Sequence, residues 1–184
     1  RMVPQLMSAA ACVLGAAELH MPSRGALSGL AVRAQQVVVG SETAVAEDHG
    51  ALLRVGAVGL NFRDVLNVMG QYPGNPGEPG ADCAGTIQAT SSAVLHGVLG
   101  DVVCGMAEGC LRAYVCTHAG LLQTMPSMWS LEEACTMPTT WSTVFLALEN
   151  LAQLRRGNRV LVHAATGGVG LVAVESAKHV GAVV

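Results

Sequence analysis

The stretch RVLVHAATGGVGLVAVESAKHVGAVV, residues 159–184, decides the fold. Val160, Leu161 and Val162 form a short apolar strand core, entered from the Gly157–Asn158 turn. After the glycines, Val169, Val172, Ala173, Ser176 and Ala177 mark the packed side of a helix, with Val180 one turn beyond. The closing GAVV reads as the entry to another strand. Strand, glycine turn, helix and strand make the first βαβ unit of a doubly wound, α/β nucleotide-binding domain, cut at its second strand.

Within the turn, Ala165, Gly167 and Gly170 reproduce G-x-G-x-x-G spacing with alanine at the first place. Gly167 lets a dinucleotide's diphosphate approach the backbone, and Gly170 lets helix and strand pack closely. The adjacent helix terminus supplies free amides and a favourable dipole. A tight βα turn that binds nothing is the competing reading. The acidic residue that holds a ribose hydroxyl is sought about 20 positions further on, around or beyond Val184. NAD and NADP are therefore not separated by the residues present.

Working toward the N-terminus, Ser130 and Glu133 form an S-x-x-E capping box, and Pro138 interrupts or restarts the helix. Trp141, Val144, Phe145, Leu148 and Leu151 then recur at helical spacing and predict a packed face. QYPGNPGEPGA, residues 71–81, is a loop, because neither a regular helix nor a central strand tolerates that sequence. Short β-branched and apolar runs on either side of it predict a β-rich module reaching about residue 120. Residues 1–26 read as an N-terminal extension or linker.

Hydrophobic residues make up 51% of the 184-residue chain and charged residues 12%, which supports a buried core. A net charge of −3 with 10 Lys and Arg offers no basic footprint for nucleic acid. The apolar runs are too short and too punctuated for a membrane span, so no membrane partner is expected. The six cysteines include no C-x-x-C pair and read as reduced, buried thiols rather than a metal or disulfide framework. His20, His49, His96, His118, His163 and His179 form no ligand cluster, so no metal site is expected.

GLNFRDVLNVMGQYPG, residues 59–74, combines helix-like apolar spacing with polar groups. Phe62, Val65, Leu66 and Met69 are expected to face a core, and Arg63 and Asp64 to make a structural ion pair or cap. Asn61 can orient a ligand amide or ribose through both ends of its side-chain amide. The Tyr72 phenol can donate a proton near the loop, or it can serve packing and loop anchoring.

These stretches, with GADCAG, GDVVCGM, PTTWSTVFLALENLA and RRGNRVLVHAATGGVGLVAVESAKHVGA in this order, cover most of residues 27–184. Together they resemble the enoyl reductase domain of polyketide and fatty acid synthases, within the medium-chain dehydrogenase/reductase and quinone oxidoreductase families. The resemblance implies a GroES-like β-rich substrate domain over 27–130, followed by an incomplete Rossmann domain over 131–184. It implies NADPH as hydride donor to an α,β-unsaturated acyl thioester held on a carrier protein, with other synthase domains or assembly chains as partners. It suggests cofactor contacts from Asn61, Thr143, Gly167, Gly168, Val169 and Gly170, and a protonating role for Tyr72.

Zinc-dependent relatives carry a cysteine ligand and then Gly-His-Glu in the corresponding region. Here Asn61–Asp64 and Gly80–Asp82 match those stretches, and Ala81 lacks the imidazole, so no zinc is expected. The family's catalytic lysine and aspartate would fall after Val184, and Lys178 inside the nucleotide helix does not take that lysine's role. The chain therefore reads as a fragment of a larger reductase. A noncatalytic structural or interaction segment of an assembly and a quinone or other enone reductase are the alternatives. A cytoplasmic location is expected, with an organelle also open.

Overall fold

The computed structural model describes residues 15–35, 50–91 and 98–184. Cys12, His49 and His96 lie outside them. The chain divides into two compact units, residues 1–136 and 137–184.

In the first unit, β1 (Ala17–His20) pairs antiparallel with β2 (Ala31–Ala34). Residues 17–26, set aside above as extension or linker, are thus built into the unit. The Leu19 amide donates to Leu111 O, and the Ala113 amide to Ala17 O. A five-stranded antiparallel sheet follows, built from β3 (Gly50–Gly59), β4 (Asp82–Thr90), β5 (Val102–Met106), β6 (Tyr114–His118) and β7 (Leu122–Thr124). Its strand order is β6-β3-β4-β5-β7.

Alternation along β4 sends Cys83 and Ile87 into one core and Ala84 into another, as the period-2 pleat requires. The first core adds Leu53, Val103, Val115 and Leu122. The second is closed by the short α2 (Leu131–Ala134), so the capped turn at Ser130 belongs to the sheet unit rather than to the second domain. Ser130 Oγ accepts from the Glu133 amide at 3.2 Å, and Glu133 Oε2 accepts from the Ser130 amide at 2.9 Å.

Between β3 and β4 lies α1 (Phe62–Val68), and here the apolar pattern misleads. Asp64, Asn67 and Val68 are the buried residues, whereas Phe62 is 74% exposed and Val65 and Met69 are exposed too. Leu66 is half-buried. Asp64 and Asn67 point inward because their side chains satisfy loop groups that a hydrophobic face would leave unpaired. Of the ion pair or cap expected of Arg63 and Asp64, the cap is present, with Asp64 Oδ2 accepting from the Asn61 amide at 2.9 Å.

The second unit begins with α3 (Pro138–Val144), whose proline stands at the first turn. It continues as a wider π-helical segment, Phe145–Leu151. The packed face expected there is only partly present: Val144 is buried and Leu148 half-buried, but Trp141, Phe145 and Leu151 are exposed. The strand expected at RVLVHA is a single parallel bridge, Arg159 with Val183, and Leu161 is 81% exposed. The parallel sense nevertheless marks a βαβ crossover.

The crossover helix, α4 (Gly168–Val180), buries Gly170, Ala173, Ser176 and Ala177, with Val169 exposed. It ends at Gly181 in the left-handed region (φ 84°), where only glycine sits without strain. Among the described residues, no helix is long and apolar enough to cross a membrane.

Candidate functional site

The glycine turn of the second unit is built as an anion cradle. The first intrahelical bond of α4 runs from the Leu171 amide to Gly167 O at 2.8 Å, so the amides of Gly168, Val169 and Gly170 have no helical acceptor. No acidic residue stands in the first turn to compete for them. Lys178 and His179 lie in the last turn, where positive charge suits the dipole.

The glycines have different reasons for being small. A Cβ at Gly170 would overlap Ala164 O and lie 2.8 Å from Ala165 Cα, both backbone atoms that cannot move aside. Gly170 is therefore required by the contact between the helix and the preceding turn. At Gly167, with φ −79°, a Cβ would lie 3.4 Å from Ala164 O. At Gly168 it would lie 3.7 Å from Thr140 Cγ2. The chain tolerates a side chain at both, so their smallness keeps the outer side of the turn open beside the free amides. That space and those donors fit a dinucleotide's diphosphate.

Thr140 of α3, rather than Thr143, is the threonine against this turn. The exposed Thr143 bonds back to its own helix, its hydroxyl donating to Thr139 O at 2.7 Å. The resemblance pointed to Thr143; Thr140, which meets the glycine turn, was not singled out in the sequence.

In the first unit, Asn61 and Tyr72 flank α1. Asn61 caps the helix, and its Nδ2 donates to Asp82 Oδ2 at 3.0 Å. Asp82 is buried at the start of β4, so the amide is held from the sheet. Tyr72 follows the helix, its backbone amide donating to Leu66 O at 3.2 Å. The ring is half-buried, and the Arg63 guanidinium sits over it at 5.4 Å from the centroid. Neither Asp82 as the partner of Asn61 nor Arg63 as the neighbour of Tyr72 follows from spacing, because each pair is made by the fold.

Among the described residues, Cys83, Cys110 and Cys135 are buried free thiols, as expected, whereas the free thiol Cys104 is half-buried and Cys116 is exposed at the surface of β6. Hydrogen bonding with Cys83 and burial push the Cys110 thiol far up, and the charges of Asp64 and Asp82 add to this. Burial likewise pushes up Cys104, Cys135 and Cys116, the last partly offset by Arg112. Such thiols are poor nucleophiles near neutral pH. Among the described residues, no group of three or more His, Cys, Asp or Glu is placed to hold a metal ion.

Residues 47–147, more than half of the chain, match the family model for the alcohol dehydrogenase GroES-like domain. The chain belongs to this family. Within it, similarity runs to polyketide synthases. The chain is 40% identical to the pikromycin polyketide synthase component PikAII of Streptomyces venezuelae over 129 residues, covering 70% of this chain and 3% of that protein. It is 36% identical to a highly reducing polyketide synthase of Didymella fabae over 166 residues, covering 90% of this chain and 8% of that protein. Among solved structures, the CurK enoyl reductase superposes with a TM-score of 0.80 at 32% identity, over 91% of this chain and 52% of that one. The chain thus spans a small part of the curated relatives and about half of the solved reductase. The GroES-like and Rossmann-like fold read from the sequence is established by these findings together with the two units.

Proposed function

We propose that the chain is part of an NADPH-dependent enoyl reductase acting on α,β-unsaturated acyl thioesters in polyketide or fatty acid synthesis. The observation that carries this reading is the open glycine turn. Among the described residues nothing stands close enough to require glycine at 167 or 168, and both stand beside three amides without helical acceptors. The similarity to polyketide synthases and to a solved enoyl reductase supports enoyl reduction as the reaction.

When bound, the nicotinamide supplies a hydride to the substrate's β carbon. The amides of Gly168, Val169 and Gly170 bind the diphosphate, and the α4 dipole favours its charge. Asn61, held by Asp82, orients a polar group of the cofactor. Tyr72 Oη donates the proton that completes reduction at the α carbon. Thr143, three residues on from the turn-facing Thr140, is the further cofactor contact that the family resemblance supports. Zinc takes no part in this scheme. Carrier-bound acyl thioesters and neighbouring synthase domains are the partners.

The test uses the natural polypeptide that carries this chain. Gly167→Val is expected to weaken NADPH binding while leaving the first unit folded. Tyr72→Phe is expected to keep nucleotide affinity but to lower turnover or change the configuration at the α carbon. Unchanged binding in the glycine variant removes the turn from the cofactor site. Unchanged turnover and configuration in Tyr72→Phe assign Tyr72 to architecture.

A further inference from the structure

We infer that Arg63 is a positioning residue for Tyr72, setting where its hydroxyl points; this rests on the reading of Tyr72 as proton donor. The segment after α1, residues 71–80, holds three prolines and three glycines and makes no strand ladder. Its shape therefore depends on side chains that grip it. Asp64 Oδ1 accepts from the Gly80 amide at 2.8 Å. Arg24 donates to Asn75 Oδ1 at 3.2 Å and to Gly77 O at 3.0 Å, while its Nε donates to Asn67 Oδ1 at 2.8 Å. These contacts secure residues 75–80, and the Gln71 and Tyr72 amides on Leu66 O, at 2.8 and 3.2 Å, hold the backbone of the tyrosine end but not its ring.

Arg63 secures that end in two ways. Its guanidinium lies over the Tyr72 ring, and its Nη2 donates to Pro76 O at 2.9 Å. One guanidinium thus stands over the ring and is tied to the loop four residues on. Only arginine combines stacking with a fixed fork of donors; a lysine ammonium supplies the charge without the plane. Among the described residues, no hydrogen bond engages the Tyr72 hydroxyl, so the ring contact is what holds the phenol in line.

The test is a double-mutant cycle in the natural polypeptide, using NADPH and an α-methyl enoyl thioester. Turnover, product configuration and nucleotide affinity are read for Arg63→Met, Arg63→Lys, Tyr72→Phe and the two combinations. Arg63→Met is expected to lower kcat about 10- to 100-fold and to erode the configurational preference, with nucleotide affinity unchanged. In the Tyr72→Phe background it is expected to change kcat by less than about twofold, because the hydroxyl it acts through is gone. Arg63→Lys is expected to fall between the parent and Arg63→Met.

An equal loss from Arg63→Met in both backgrounds overturns the inference, as does an unchanged kcat. If Tyr72→Phe alone alters neither turnover nor configuration, the proton-donor reading fails and the inference falls with it. A loss confined to Arg63→Met would then mark a purely structural arginine. Should Arg63→Met not fold, the cycle with Arg63→Lys decides on the same criterion.

Discussion

Gly170→Ala separates glycines kept for packing from glycines kept for a ligand. Its Cβ would overlap the Ala164 carbonyl oxygen and crowd Ala165 Cα at 2.8 Å and Ala164 C at 2.9 Å. These are all backbone atoms, so the helix or the turn must shift. Overpacking of this kind costs about 1–3 kcal/mol, and rigid neighbours place it near the top of that range. Alanine regains up to about 1 kcal/mol of helix propensity, leaving a net loss of about 2 kcal/mol. Gly167→Ala meets only one atom, at 3.4 Å, and sits at the helix N-cap, where the exchange costs about 0.5–1 kcal/mol. A urea titration read by Trp141 fluorescence, with Trp129→Phe removing the other indole, reports on the second unit. At about 2 kcal/mol per molar, Gly170→Ala is expected to lower the midpoint by about 1 M and Gly167→Ala by less than about half of that. A Gly170→Ala midpoint within error of the parent, or a larger drop for Gly167→Ala, refutes the assignment.

Asp64→Asn replaces one of two carboxylate acceptors facing the Asn61 and Gly80 amides with an amide donor, and is expected to destabilise the first unit by about 2–3 kcal/mol by urea titration. The raised thiols make stability fall with alkali. Cys104, Cys116 and Cys135 are held above the ordinary 9.0, so the unfolded chain gives up its thiol protons first. Their contribution is complete below about pH 9 and is lost as pH rises past it; urea midpoints measured from about pH 7 to about pH 10 are expected to decline, and a rise would contradict the cause given. Elemental analysis of dialysed protein is expected to find no stoichiometric zinc; one zinc per chain would reverse that expectation.

Much of the fold was legible where its cause is local. The Ser130–Glu133 cap, Pro138 at a helix start and the glycine turn before α4 each depend on residues within a few positions. The orientation of α1 was not, because Asp64 and Asn67 turn inward to meet Gly80, Gly77 and Arg24, partners chosen by the fold. Their hydrogen bonds outrank the apolar spacing of Phe62, Val65 and Met69. The same limit hid the surroundings of the candidate site. Asn61 meets Asp82 across 21 positions, and Arg63 reaches Tyr72 only because a proline-rich loop folds back on the helix. β1 escaped notice because AELH is short and half polar, and its pairing with β2 supplies what its sequence lacks.

The central claim is enoyl-thioester reduction, and isotope transfer tests it most directly. The natural polypeptide carrying this chain is incubated with an α,β-unsaturated acyl thioester and NADPH deuterated at the transferring carbon, and the saturated product is analysed for label position. Deuterium is expected at the β carbon and a solvent-derived hydrogen at the α carbon. Absence of saturated product under conditions where the polypeptide is folded, or label at the α carbon, would contradict it.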